Sequence, residues 1–206
     1  MSDSTISLRR TQGRLLLWPS TRTIRWVALA VLLCVGALAV WTGGRRDADP
    51  SEVGLPVATT LLCVWLCFLF EDSAAETTDP TATPLAARRA VRALIAVPAV
   101  AVAWFALTWI GPLDGPTAVM AGSFVAEVLL ALAAAAVASR IDGPARGGFP
   151  AVGVLVFVAI VLPIWLGRPP AIEPTHPPFG TPMTYWSAIA AINAFVLAWT
   201  HVTRNA

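Results

Sequence analysis

In a chain of 206 residues that is 57% hydrophobic, chemistry would have to come from the few polar groups inside apolar runs. Glu127 is the one carboxylate well inside such a run, with Ser123 one helical turn before it, and Asn193 sits in the middle of another run. A charge at the centre of a bilayer costs at least ~3 kcal/mol on insertion scales, so Glu127 is expected to face protein or water rather than lipid. It would be protonated or hydrogen-bonded to another segment, with Asn193 as the candidate partner. Two readings stay open: a fastener between helices, or a group that handles a proton or a substrate. Thr59, Cys63 and Cys67 form a mildly polar stripe, and Ala118, Gly122 and Ala126 repeat every four residues. Small residues at that spacing let helices approach closely. Each stripe reads either as packing or as the lining of a path.

The familiar catalytic patterns are absent. The sequence holds no G-x-x-x-x-G-K-[ST] phosphate loop and no H-E-x-x-H metal site. His176 and His201 fall at opposite ends of the last apolar run, where they cannot ligate one haem together. Cys34, Cys63 and Cys67 lie within apolar runs, without histidine at metal-binding spacing, and read as small buried hydrophobes. No enzyme activity, cofactor or metal is expected, and a transport or scaffold role gains by subtraction.

The elements that must position these groups follow from composition. Only 13% of the residues are charged, about half the share in soluble domains, and the mean hydropathy is +0.71. An all-α polytopic membrane protein is expected, in the cell membrane and surrounded by the lipid bilayer. Apolar runs at 24–42, 53–70, 91–110, 116–139, 151–166 and 185–202 predict six spans, the fifth short against the ~20 residues that cross a bilayer. Residues 1–23 carry Arg9, Arg10, Arg14 and Arg22 beside Leu15, Leu16, Leu17 and Trp18, and read as a cytoplasmic interfacial segment or an extended tail. The six-span domain covers 24–203. Residues 167–183 form an outer proline-rich loop, either re-entrant or a rigid connector. The chain has arginine and no lysine, and the inner side would take eleven arginines against three outside, which would place both termini in the cytoplasm. The net charge of +2 gives no sign of nucleic-acid binding.

The longest polar run between spans is 70–94, FEDSAAETTDPTATPLAARRAVRAL. It opens with Glu71 and Asp72 and closes with Arg88, Arg89 and Arg92. Ser73 followed by Glu76 reads as a capping box starting a short helix. Asp79-Pro80 would stop that helix, and Thr83-Pro84 would start the next. A six-span chain with this acid-start, arginine-end inner loop resembles the type-2 permeases of ABC exporters, in their small actinobacterial forms. The topology likeness covers the whole chain and the motif about one eighth of it.

The resemblance implies a permease subunit that pairs with a separate ATP-binding subunit and with a second permease, as a homodimer or heterodimer. Within the loop 71–90, Glu71, Asp72, Ser73, Ala74, Ala75, Glu76 and Thr77 would form the coupling helix that docks on the ATPase, with Arg88 and Arg89 closing the loop. Residues 8–18 would lie near the same partner. ATP-driven movement of that partner would shift an apolar or amphipathic substrate. In such permeases the segment between the last two spans forms short outer helices, from which the six prolines of 167–183 depart. The alternative is a non-catalytic scaffold or accessory subunit of a respiratory, secretion or cell-envelope complex.

Overall fold

A computed structural model of the protein describes residues 26–43, 54–71, 85–110, 117–142, 147–162 and 182–202. The segment 1–23, the coupling-helix residues Asp72, Ser73 and Glu76, and the outer loop 167–181 lie outside them. The described residues form six helices and no strand. They are α1 (Trp26–Gly43), α2 (Gly54–Cys67, ending in a 3₁₀ turn at Phe68–Phe70), α3 (Leu85–Thr108), α4 (Thr117–Ile141), α5 (Gly148–Val156, continuing through a π turn at Phe157–Val161) and α6 (Pro182–Val202).

Length separates these helices. Two stretches, Arg88–Thr108 in α3 and Met120–Ile141 in α4, are long and apolar enough to cross a membrane. The apolar stretches of the other four, Trp26–Thr42, Gly54–Phe70, Gly148–Val161 and Tyr185–Thr200, are shorter than 18 residues. α3 begins where a proline at the first helical position would start it, and it runs unbroken from its arginines into its apolar part. Pro98 sits inside it, removing one backbone donor without ending the helix.

α2 and α4 form the centre. Both are apolar on nearly all sides, the pattern of a helix surrounded by others. Ten residues of α2 are buried, among them Leu62, Cys63 and Leu66. α4 buries Met120, Phe124, Ala126, Val128, Leu130, Ala131 and Ala135. α1 and α3 pack on α2, α6 packs on α4, and α5 touches both central helices. α1 and α2 approach to backbone distance, where a Cβ at Gly54 would lie 2.9 Å from Val40 Cα and one at Gly36 3.1 Å from Ala58 Cβ. This small-residue contact lies between α1 and α2, and Ala126 of the α4 stripe is buried. Of the three cysteines, Cys63 and Cys67 are buried as expected, but Cys34 is exposed on the outer side of α1.

Candidate functional site

Two constellations of polar side chains join the helices. The first lies in the interior. Glu127 stands ten residues into α4, about 15 Å along its axis. It is 3% exposed and is the one buried carboxylate among the described residues. The Thr60 hydroxyl of α2 donates to its Oε2 at 3.0 Å. The same hydroxyl lies 3.1 Å from the Pro56 carbonyl oxygen one turn back in its own helix. The adjacent Thr59 donates to the Leu55 carbonyl at 2.8 Å and accepts from the Trp104 indole N–H of α3 at 3.1 Å. Trp104 in turn stacks on Phe124 of α4, with ring centroids 4.8 Å apart and planes 21° from parallel. A ring of contacts therefore runs from α4 through Glu127 to α2, through Thr59 to α3, and back to α4 through the aromatic pair.

The second constellation ties helix ends together at one end of the bundle. A helix leaves its last carbonyls and its first N–H groups without partners inside itself. Here side chains of neighbouring helices supply them. At the end of α2, Arg89 of α3 donates to the Phe70 carbonyl at 3.4 Å and Arg92 to the Glu71 carbonyl at 3.2 Å. The Arg89 guanidinium also lies over the Phe70 ring, 5.6 Å from its centroid. At the start of α5, the Gly148 N–H donates to Glu71 Oε1 at 3.0 Å. Near the end of α6, Arg140 of α4 donates to the Thr200 carbonyl. Cations sit at helix C-termini and an anion at an N-terminus, each where the macrodipole favours it. Gly148 is needed for this closeness: a Cβ there would lie 2.5 Å from Phe68 Cδ1 and 2.6 Å from Glu71 Oε1.

Measured against the expectations, the interior group differs in its partners. Glu127 does reach another helix, but through Thr60 of α2 and not through Asn193 of α6. The Asn193 amide donates to the Ile189 carbonyl of its own helix at 2.7 Å, which uses the side chain locally. Ser123 likewise donates to the Met120 carbonyl at 2.8 Å. Of the loop residues, Glu71 and Arg89 meet in the junction at the end of α2, and Arg88 is half-buried on α3. Thr60, Trp104, Gly148 and Thr200 were not singled out from the sequence. The paired threonines inside an apolar run were the one available signal for Thr60. Among the described residues no three His, Cys, Asp or Glu side chains converge as a metal site would require. Comparison with protein-family models, with curated proteins and with solved structures finds no match to this chain.

Proposed function

We propose that the chain is the membrane-embedded permease subunit of an ATP-driven exporter, crossing the cell membrane six times with both ends in the cytosol. In this reading a separate ATP-binding subunit docks on the loop that follows Glu71, and a second permease subunit completes the path for an apolar or amphipathic substrate. The junction at the end of α2 carries the reading. A segment docked on a moving partner can rock a bundle only if its root is fixed to several helices at once. Glu71 is such a root: its backbone holds Arg92 of α3, its carboxylate holds the first turn of α5, and it continues directly from α2. A push arriving there would reach three helices, and α4 through the bond between Glu127 and Thr60. The outward faces support a lipid surround, with Val27, Val31 and Val35 on α1 and Leu94, Val102 and Phe105 on α3 exposed. Tryptophans near helix ends, Trp26, Trp41, Trp109 and Trp199, suit the two interfaces of a bilayer.

The test is purification of the tagged protein from its native membranes in mild detergent, with identification of what stays bound. A stoichiometric ATP-binding subunit is expected, and the complex should hydrolyse ATP. Respiratory, secretion or envelope subunits in place of an ATPase would sink the permease reading. They would favour the second one, a non-catalytic membrane scaffold. That alternative draws on one observation: the interior carboxyl is engaged in a bond between helices.

A further inference from the structure

The Thr60 hydroxyl has one proton and two acceptors within reach, Glu127 Oε2 at 3.0 Å and the Pro56 carbonyl at 3.1 Å. One proton cannot fill both bonds. The neighbouring threonine shows the completed form of the same arrangement. Thr59 donates to the carbonyl four residues back, and a donor from another helix, the Trp104 indole, fills its lone pair. At Thr60 the position equivalent to that donor is held by Glu127. A carboxylate has no proton to give, whereas a carboxylic acid has one.

We propose that Glu127 is a proton-binding site, in which the neutral carboxyl donates its O–H to Thr60 Oγ1 while Thr60 donates to the Pro56 carbonyl. Both bonds are then filled and α4 is fastened to α2. Release of the proton leaves a carboxylate in the interior, and the one Thr60 hydroxyl proton is then divided between Glu127 and the Pro56 carbonyl, so one of the two bonds goes unfilled. The surroundings agree. Glu127 faces Thr60 on α2, Cys63 is buried one turn further along that helix, and Tyr185 stands on α6, which packs on α4. Each of these is uncharged at neutral pH. α3 faces this region with Trp104, which does not titrate, and Tyr185 itself donates to the Val158 carbonyl of α5 at 3.4 Å. Arginines sit far off along their helices. Arg140 is about 20 Å down α4 from Glu127, and Arg92 about 18 Å along α3 from Trp104. The inference stands on the interior geometry and does not depend on the transport reading.

Infrared spectroscopy of the purified full chain in lipid tests it. At pH 7 the difference spectrum of wild type minus Glu127→Gln should contain a protonated-carboxyl C=O band that shifts down in D₂O. Thr60→Val should move that band and Thr60→Ser should leave it in place. A difference spectrum holding carboxylate bands alone overturns the proposal, as does a band unmoved by Thr60→Val. A second measurement needs no variant. Wild type carrying ¹³C at its glutamate side-chain carboxyls should show an isotope-shifted protonated-carboxyl band at pH 7. Glu127 is the one buried glutamate among the described residues. Absence of the band in the labelled wild type overturns the proposal equally.

Discussion

At the scale of single residues, the value of a buried polar group depends on who completes its bonds. Thr60→Val would strand the Glu127 carboxyl, and leaving a buried polar group without its partner costs about 1–3 kcal/mol. The expected outcome is a lowered midpoint of unfolding in mixed detergent micelles, with Thr60→Ser close to wild type. Glu127→Gln should be nearly neutral in the same assay, because the amide N–H₂ can donate to Thr60 as a neutral acid would; a loss as large as that of Thr60→Val would show that the carboxylate charge itself is needed. Glu127 was legible in the sequence because a lone acid in an apolar run is conspicuous. Its partner was not. A run of apolar residues gives the depth of a side chain but not the rotation of one helix against another. Asn193 had a suitable depth, yet its short side chain bonds the Ile189 carbonyl one turn back. Thr60 and Trp104 were hidden for the same reason, since each works only through a neighbour from a distant part of the chain.

At the scale of elements, the helices themselves were the easiest part to read. Apolar runs at 53–70 and 116–139 become α2 with its 3₁₀ turn and α4 within about two residues at each end. The basic start of α3 was legible from Thr83-Pro84, whose proline suits a first helical turn. The π turn at Phe157–Val161 and the 3₁₀ turn at Phe68–Phe70 left no mark in composition, because both come from how the chain packs at those points. The close contact at Gly148 was equally silent, and it gives a sharp prediction within one helix. Gly148→Ala would drive a methyl group into Phe68 and Glu71, an overpacking that costs about 1–3 kcal/mol. Gly153→Ala, one and a half turns on, meets nothing within 4 Å and should stabilise by roughly 0.5–1 kcal/mol, since alanine loses less freedom than glycine in a helix. Thermal unfolding of the two variants beside wild type should therefore shift in opposite directions. Glu71→Ala should fall by about 0.5–2 kcal/mol, the usual loss when a helix start gives up its side-chain acceptor. A value near zero would mean that the first turn of α5 is held by something other than Glu71.

At the scale of the whole molecule, the arrangement of helix ends decides how a force could travel. The end of α2, the start of α3 and the start of α5 meet around Glu71, and the ends of α4 and α6 meet through Arg140 and Thr200. Five helix ends are thus bound into one layer at the same end of the bundle, the end that would face the cytosol in the permease reading. If the permease reading is right, the loop rooted in that layer must face the ATP-binding partner, and the loops at the other end must face outward. Single cysteines at Ala74 and Ala145 on the inner side, and at Ala48 and Ala171 on the outer side, report this directly. The native cysteines interfere little, because Cys63 and Cys67 are buried and Cys34 lies on an apolar helix. A charged maleimide that cannot cross membranes should label positions 48 and 171 in intact cells, and positions 74 and 145 only after the cells are opened. Labelling of position 74 from outside would invert the bundle and remove the coupling loop from the reach of any ATPase. Labelling of 74 and 171 from the same side would instead break the six-span count. The two failures are distinct, so the experiment separates an error in orientation from an error in the number of crossings.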